Sequence, residues 1–173
     1  MNKRGQVWVE TVIYTLIALV IIGLVVSFVQ PKVMELQDKA TLQQSMSMMN
    51  NINNVLLSLA DNGPGNTRNV QISLNSGTLT IDGINNLAIF SMDNSYYQFS
   101  EPGQQVRYGN ILVYTKEENN LNVVNMTINY SGIYNITYSG GNTIETITHS
   151  TTPYNLIMSN NGGNPTNMDF SLG

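Results

Sequence analysis

Residues 11–29, TVIYTLIALVIIGLVVSFV, form a run of 19 positions without a charge. At 1.5 Å per residue, a helix of about that length crosses the ~30 Å hydrocarbon layer of a bilayer. The run is apolar all round, so no polar face marks it as an interfacial or soluble helix. Any fold for this chain must therefore give the segment lipid or other apolar helices as its surroundings. Gln30, Pro31 and Lys32 follow it, where a cleaved secretory signal would carry small residues around its cut. The segment is expected to be retained. Lys3 and Arg4 precede it and Lys32 and Lys39 follow it, so cation balance alone does not orient it. The long C-terminal part is expected outside.

The rest of the chain is neutral and polar. Only 10% of residues are charged, against a usual quarter or so, and the net charge is −4. No basic stripe could follow phosphates, which argues against nucleic acid as a partner. Cysteine is absent, which excludes disulfides and thiolate metal sites. With 173 residues, the chain suits one domain plus an appended element.

The N-terminal stretch KRGQVWVE, residues 3–10, places Glu10 at the start of the apolar run. A charge in that layer costs roughly 2.5–3.5 kcal/mol on insertion scales. The basic pair, Gly5, Gln6, Glu10 and the uninterrupted run resemble the N-terminus of type IV pilins, and in particular the archaeal pilins with a class III signal peptide. The resemblance covers residues 3–30. It implies a leader of residues 1–5 and cleavage by a prepilin peptidase between Gly5 and Gln6. It also implies an assembly role for Gln6 and Glu10, in which the Glu10 carboxylate meets the α-amine of a neighbouring subunit. The lack of cysteine favours the archaeal side of the family, and the lack of a glycine-rich apolar start favours pilus over archaellum. The plainer alternative for Glu10 is an acid near the positive end of a helix dipole, worth about 0.3–1 kcal/mol.

Beyond the apolar segment 6–30, Pro31 predicts a kink or pause near Gln30. The spacing of Leu42, Met46, Met49, Ile52, Leu56 and Leu59 predicts an amphipathic continuation over 31–62. DNGPG at 61–65 stops it. Together these give one helical region over about 7–60. Met34, Met46, Met48 and Met49 read as flexible core filler. From Val70 the period becomes two, and residues 66–173 predict a β-rich extracellular head. The fold class is α+β: a long N-terminal hydrophobic helix packed against an antiparallel β-sandwich or small β-barrel. VQISL and TLTID around Ser76-Gly77 predict a hairpin with Leu74 opposite Leu79 and Ile72 opposite Ile81. Further strands are expected at 86–92, 95–100, 110–116, 121–130, 133–139, 143–149 and 154–158. Residues 160–168 read as a loop.

Three sequons make Asn125, Asn129 and Asn135 candidate N-glycosylation acceptors. Their number is no more than chance supplies in so Asn-, Ser- and Thr-rich a chain. Alternation puts Val124, Met126, Ile128 and Tyr130 on one face of their strand and Asn125, Thr127 and Asn129 on the other, and it points Asn135 outward too. No catalytic constellation emerges. His149 lacks an evident partner, Glu117 and Glu118 read as a solvated turn beside Lys116, and Gly63 and Gly65 lack the lysine and helix of a phosphate loop. Neither a cofactor nor a metal is expected.

The sequence thus predicts a non-enzymatic structural subunit. It would be inserted in the membrane as a precursor and then polymerised with itself into an extracellular filament for adhesion or surface coating. The resemblance supplies a prepilin peptidase, an assembly platform and an ATPase as partners. The alternatives are a single-pass anchored binding module and a minor pilin or pseudopilin.

Overall fold

The computed structural model describes residues 3–173, with side chains from Val7 onward, so the leader and the Gly5-Gln6 junction lie outside the residues whose side chains are described. The chain is α+β. One helix, α1 (Lys3–Asn62), is followed by ten strands: β1 (Thr67–Ile72), β2 (Thr78–Asp82), β3 (Leu87–Ser95), β4 (Gln105–Tyr108), β5 (Ile111–Glu118), β6 (Leu121–Asn129), β7 (Tyr134–Tyr138), β8 (Ile144–Thr148), β9 (Tyr154–Gly162) and β10 (Thr166–Leu172). It divides into two compact units, Met1–Gln37 and Asp38–Gly173.

Helical conformation runs through Pro31 without the pause its ring suggested. Proline removes one donor, the amide that would reach the Ser27 carbonyl, and neighbouring turns hold their own bonds. Thr11, Thr15 and Ser27 turn their hydroxyls back onto the carbonyls of Val7, Thr11 and Gly23 at 2.8–2.9 Å. Such back-bonding lets a polar side chain sit in an apolar run without an outside partner. The helix stops at Asn62 as the Gly-Pro-Gly signal requires, with Gly63 at φ 81°.

The second half of α1 belongs to the head. Leu42, Met49, Ile52, Leu56 and Leu59 are each 0% exposed and share one core with residues from both sheets. This is the expected stripe, except that Ser45 is fully inside and Met46 only half-buried. Asn160 of β9 fastens the end of the helix: its side-chain amide donates to the Leu59 carbonyl at 2.9 Å, and its own oxygen accepts from the Gly162 amide.

Two sheets, neither closed into a barrel, complete the head. One has the order β1-β9-β10-β7 and the other β4-β5-β6-β3-β2-β8. All pairings are antiparallel except β7 with β10. Period-two burial is clear in β3, β5, β6, β9 and β10, which is how a strand offers one face to a core.

Four expectations are corrected here. The hairpin around Ser76-Gly77 does not form, because β1 pairs with β9 and β2 pairs with β3 and β8 in the other sheet. Gly77 serves a crossing between sheets: it has φ 77°, and a Cβ there would lie 2.5 Å from the Ser91 carbonyl oxygen. The strand expected at 95–100 is mostly loop, since β3 runs on to Ser95 and then ends. Residues 160–168 are not a simple loop but the end of β9, a tight connection and the start of β10. Glu117 and Glu118 finish β5, and the turn is made by Asn119 and Asn120, at φ 52° and 62°. Paired positive φ values match the turn that twisted two-residue hairpins favour.

Candidate functional site

The first unit carries the most unusual surface. Every large apolar side chain from Val7 to Val33 lies between 44% and 77% exposed, Phe28 the most. Removing one such side chain from water is worth about 1.5–3 kcal/mol, so the segment totals tens of kcal/mol against a net domain stability of about 5–15. A surface of that size is not left in water. By length and composition the helix can cross a membrane. Glu10 lies on this exposed surface, within one turn of Val7, Ile13 and Tyr14. The Gly5-Gln6 junction precedes it by about one turn.

In the head, Asn125 and Asn135 are half-buried within strands that have neighbours on both sides or beside them: Asn125 faces Ser91 and Tyr114 across the sheet, and Asn135 faces Asn167. The threonine of the third sequon, Thr137, is 3% exposed, and its hydroxyl donates its one proton toward the Asp169 carboxylate at 2.6 Å, with the Asn167 side-chain oxygen also 2.9 Å away. Asn129 differs from both. It is exposed at the end of β6, its side-chain oxygen accepts from the Ser131 amide at 2.8 Å, and the Ser131 hydroxyl donates to the Asn85 carbonyl. The structure therefore separates three sequons that looked equivalent.

Asn129 also borders a cavity of about 200 Å³ that sequence reasoning missed. It opens between α1 (Asn53, Leu57), β4 (Arg107), the β4–β5 turn (Asn110), the turn after β6 (Tyr130) and the start of β7 (Tyr134). These residues are far apart in sequence, and the one readable sign was an amide, Asn53, beside the apolar stripe of α1. The tyrosine rings meet edge to face, with centroids 6.2 Å apart. Tyr130 is 3% exposed and its hydroxyl has no hydrogen-bond partner among the described residues. Burial, reinforced by neighbouring Tyr134, pushes its pKa far above the ordinary value. Leaving such a hydroxyl unsatisfied costs about 1–3 kcal/mol.

Elsewhere the ionisable groups serve structure. Burial pushes the Asp82 carboxyl up, but hydrogen bonds from the Asn85 side chain and from the Asn85 and Ile84 amides outweigh it and hold it below the usual range. Tyr138 is raised by burial and by Glu145, against an opposing hydrogen bond at Leu172. His149 is exposed, and Lys116 pairs with Glu118 at 3.3 Å on the surface. Among the described residues, no group of three His, Asp or Glu could hold a metal ion.

Comparison of the chain with protein-family models, with curated proteins and with solved structures finds no match. Its chemistry and geometry alone carry the functional reading.

Proposed function

We propose that this protein is the structural subunit of a type IV pilus-like filament, made as a membrane precursor, cut between Gly5 and Gln6, and polymerised through α1. The observation that carries this reading is an exposed, uniformly apolar half-helix, with Glu10 near its start, joined to a head that has its own closed core. Lipid covers that surface before assembly, and the same half of neighbouring copies covers it afterwards. In the filament Glu10 meets a neighbour's α-amine. Because a buried ion pair adds little net stability over an apolar substitute, its contribution lies in setting axial register as subunits enter. The prepilin peptidase, assembly platform and ATPase enter with the same family resemblance, and the role requires no catalysis.

The test is the mature N-terminus, read by mass spectrometry of the surface protein, together with filament counts by electron microscopy. A chain beginning at Gln6 and sharply fewer filaments from Glu10→Leu cells are expected. Peptides containing Arg4 would count against the proposal, as would normal filaments from processed Glu10→Leu subunits. The cavity beside Asn53 favours a second reading, an anchored binding module whose helix stays in the membrane. That reading requires Lys3 and Arg4 on the mature chain.

A further inference from the structure

We propose that the cavity between α1, β4 and the turn after β6 is a binding site for one carboxylated sugar ring, a uronic acid at the end of a surface polysaccharide. The site belongs to the head alone, so the inference holds for a filament subunit and for an anchored receptor alike.

Asn53 is the first sign. It is 5% exposed, yet its side chain has no hydrogen-bond partner among the described residues and is not sealed from water. Buried amides in folded proteins are almost always paired, with the protein or with water. The Asn53 amide is held at the cavity wall without a partner among the described residues, so it can bond whatever replaces water there. Asn110, another lining residue, likewise makes no side-chain hydrogen bond among the described residues. Each amide offers one acceptor and two donor hydrogens, which match sugar hydroxyls, groups that both donate and accept.

Arg107 supplies the charge. The ion pairs among the described residues are Lys32 with Glu35 and Lys116 with Glu118, so Arg107 brings an unpaired guanidinium to the cavity edge. Its planar fork fits a carboxylate through two parallel hydrogen bonds. It is the only cation in the lining, and no second cation or helix N-terminus helps it, so a singly charged group suits the site better than a phosphate. Tyr134 and Leu57 add the apolar surface on which the C–H face of a sugar ring stacks. Size completes the argument: about 200 Å³ falls below the roughly 300–1,000 Å³ of drug-sized sites, leaving room for one ring and not for several.

The experiment uses the full chain in detergent micelles and methyl glucuronide, methyl glucoside, glucose 6-phosphate and acetate as ligands, with binding followed by saturation-transfer NMR and titration. Glucuronide should bind at least tenfold more tightly than glucoside or acetate, and more tightly than the phosphate. Arg107→Gln, a change at an exposed position, should remove the preference for the acid over the neutral sugar. Asn110→Ala should weaken both sugars together, and Arg68→Gln should change nothing. Folding of each variant is checked by circular dichroism. Absence of saturable glucuronide binding overturns the proposal. So does equal binding of glucoside, acetate or phosphate, and so does a preference that survives Arg107→Gln in a folded protein.

Discussion

The two halves of α1 are one unbroken helix with opposite treatments of apolar side chains. From Val7 to Val33 they surround the helix and all are exposed, whereas between Leu42 and Leu59 a stripe of five (Leu42, Met49, Ile52, Leu56 and Leu59) is wholly buried, Met46, Met48 and Val55 are half-buried beside it, and Leu57 stays at the surface. The difference lies in what separates the apolar positions. In the first half almost nothing polar intervenes, so no rotation of the helix could hide it against a single sheet. In the second half Gln43, Gln44, Ser47 and Asn50 alternate with the stripe and stay at the surface. Helical propensity is common to both halves, and the pattern of polar interruption decides whether a helix joins its own domain's core or awaits another partner.

Truncation is the most drastic way to break this comparison. A fragment of residues 66–173 lacks the five side chains that α1 gives to the core and should aggregate, whereas one beginning at residue 38 should be soluble and monomeric by size-exclusion chromatography. A folded, monomeric 66–173 fragment would mean the helix is a passenger on the head. Next in size are paired substitutions. Leu56→Ala should lower head stability by about 3 kcal/mol in urea titrations, while Leu24→Ala, with the same atoms removed, should leave it within about 0.5. Comparable losses would erase the distinction between the halves.

A smaller effect sharpens the account of the head. Tyr130→Phe removes a buried hydroxyl that has no partner among the described residues, and should raise stability by up to about 1 kcal/mol. Because the folded pKa of Tyr130 is raised, its contribution is intact below the unfolded value of about 10 and is lost as pH climbs above it. Alkaline unfolding of the head should therefore begin above about pH 10 and weaken in the Phe variant. The least effect belongs to Asp82. Its folded pKa is depressed, so its contribution is present above about pH 4 and declines as pH falls below that. Asp82→Asn should flatten the acid limb of a pH–stability curve, and an unchanged limb would assign acid sensitivity to another group.

Much of this architecture was legible because burial leaves a period in the sequence. The steps of three and four from Leu42 to Leu59, Met46 apart, and the alternation through Val124, Met126 and Ile128 foretold which side chains are inside. Pairing was not legible in that way. β1 finds β9 some ninety residues away, as in Thr67 opposite Ser159, and no local signal distinguishes this from the adjacent β2. Strand β4 is short and largely exposed, and β10 begins directly after Gly-Gly-Asn-Pro, so composition hid both. The site on α1 was read from contiguous residues. The cavity was not, since Asn53, Arg107 and Tyr134 meet only when helix and sheet have packed.

The clasp between Asn160 and the Leu59 carbonyl bears on how the head would respond to force. Suppose α1 is pulled along its axis while the head is held by whatever it has bound. Leu42, Met49, Ile52, Leu56 and Leu59 would then have to leave the core together with that hydrogen bond, since all ride on one rigid rod. Contacts loaded in parallel share the tension, unlike those of a strand peeled from a sheet edge one bond at a time. The helix is thus built as a handle whose core contacts take up shear together.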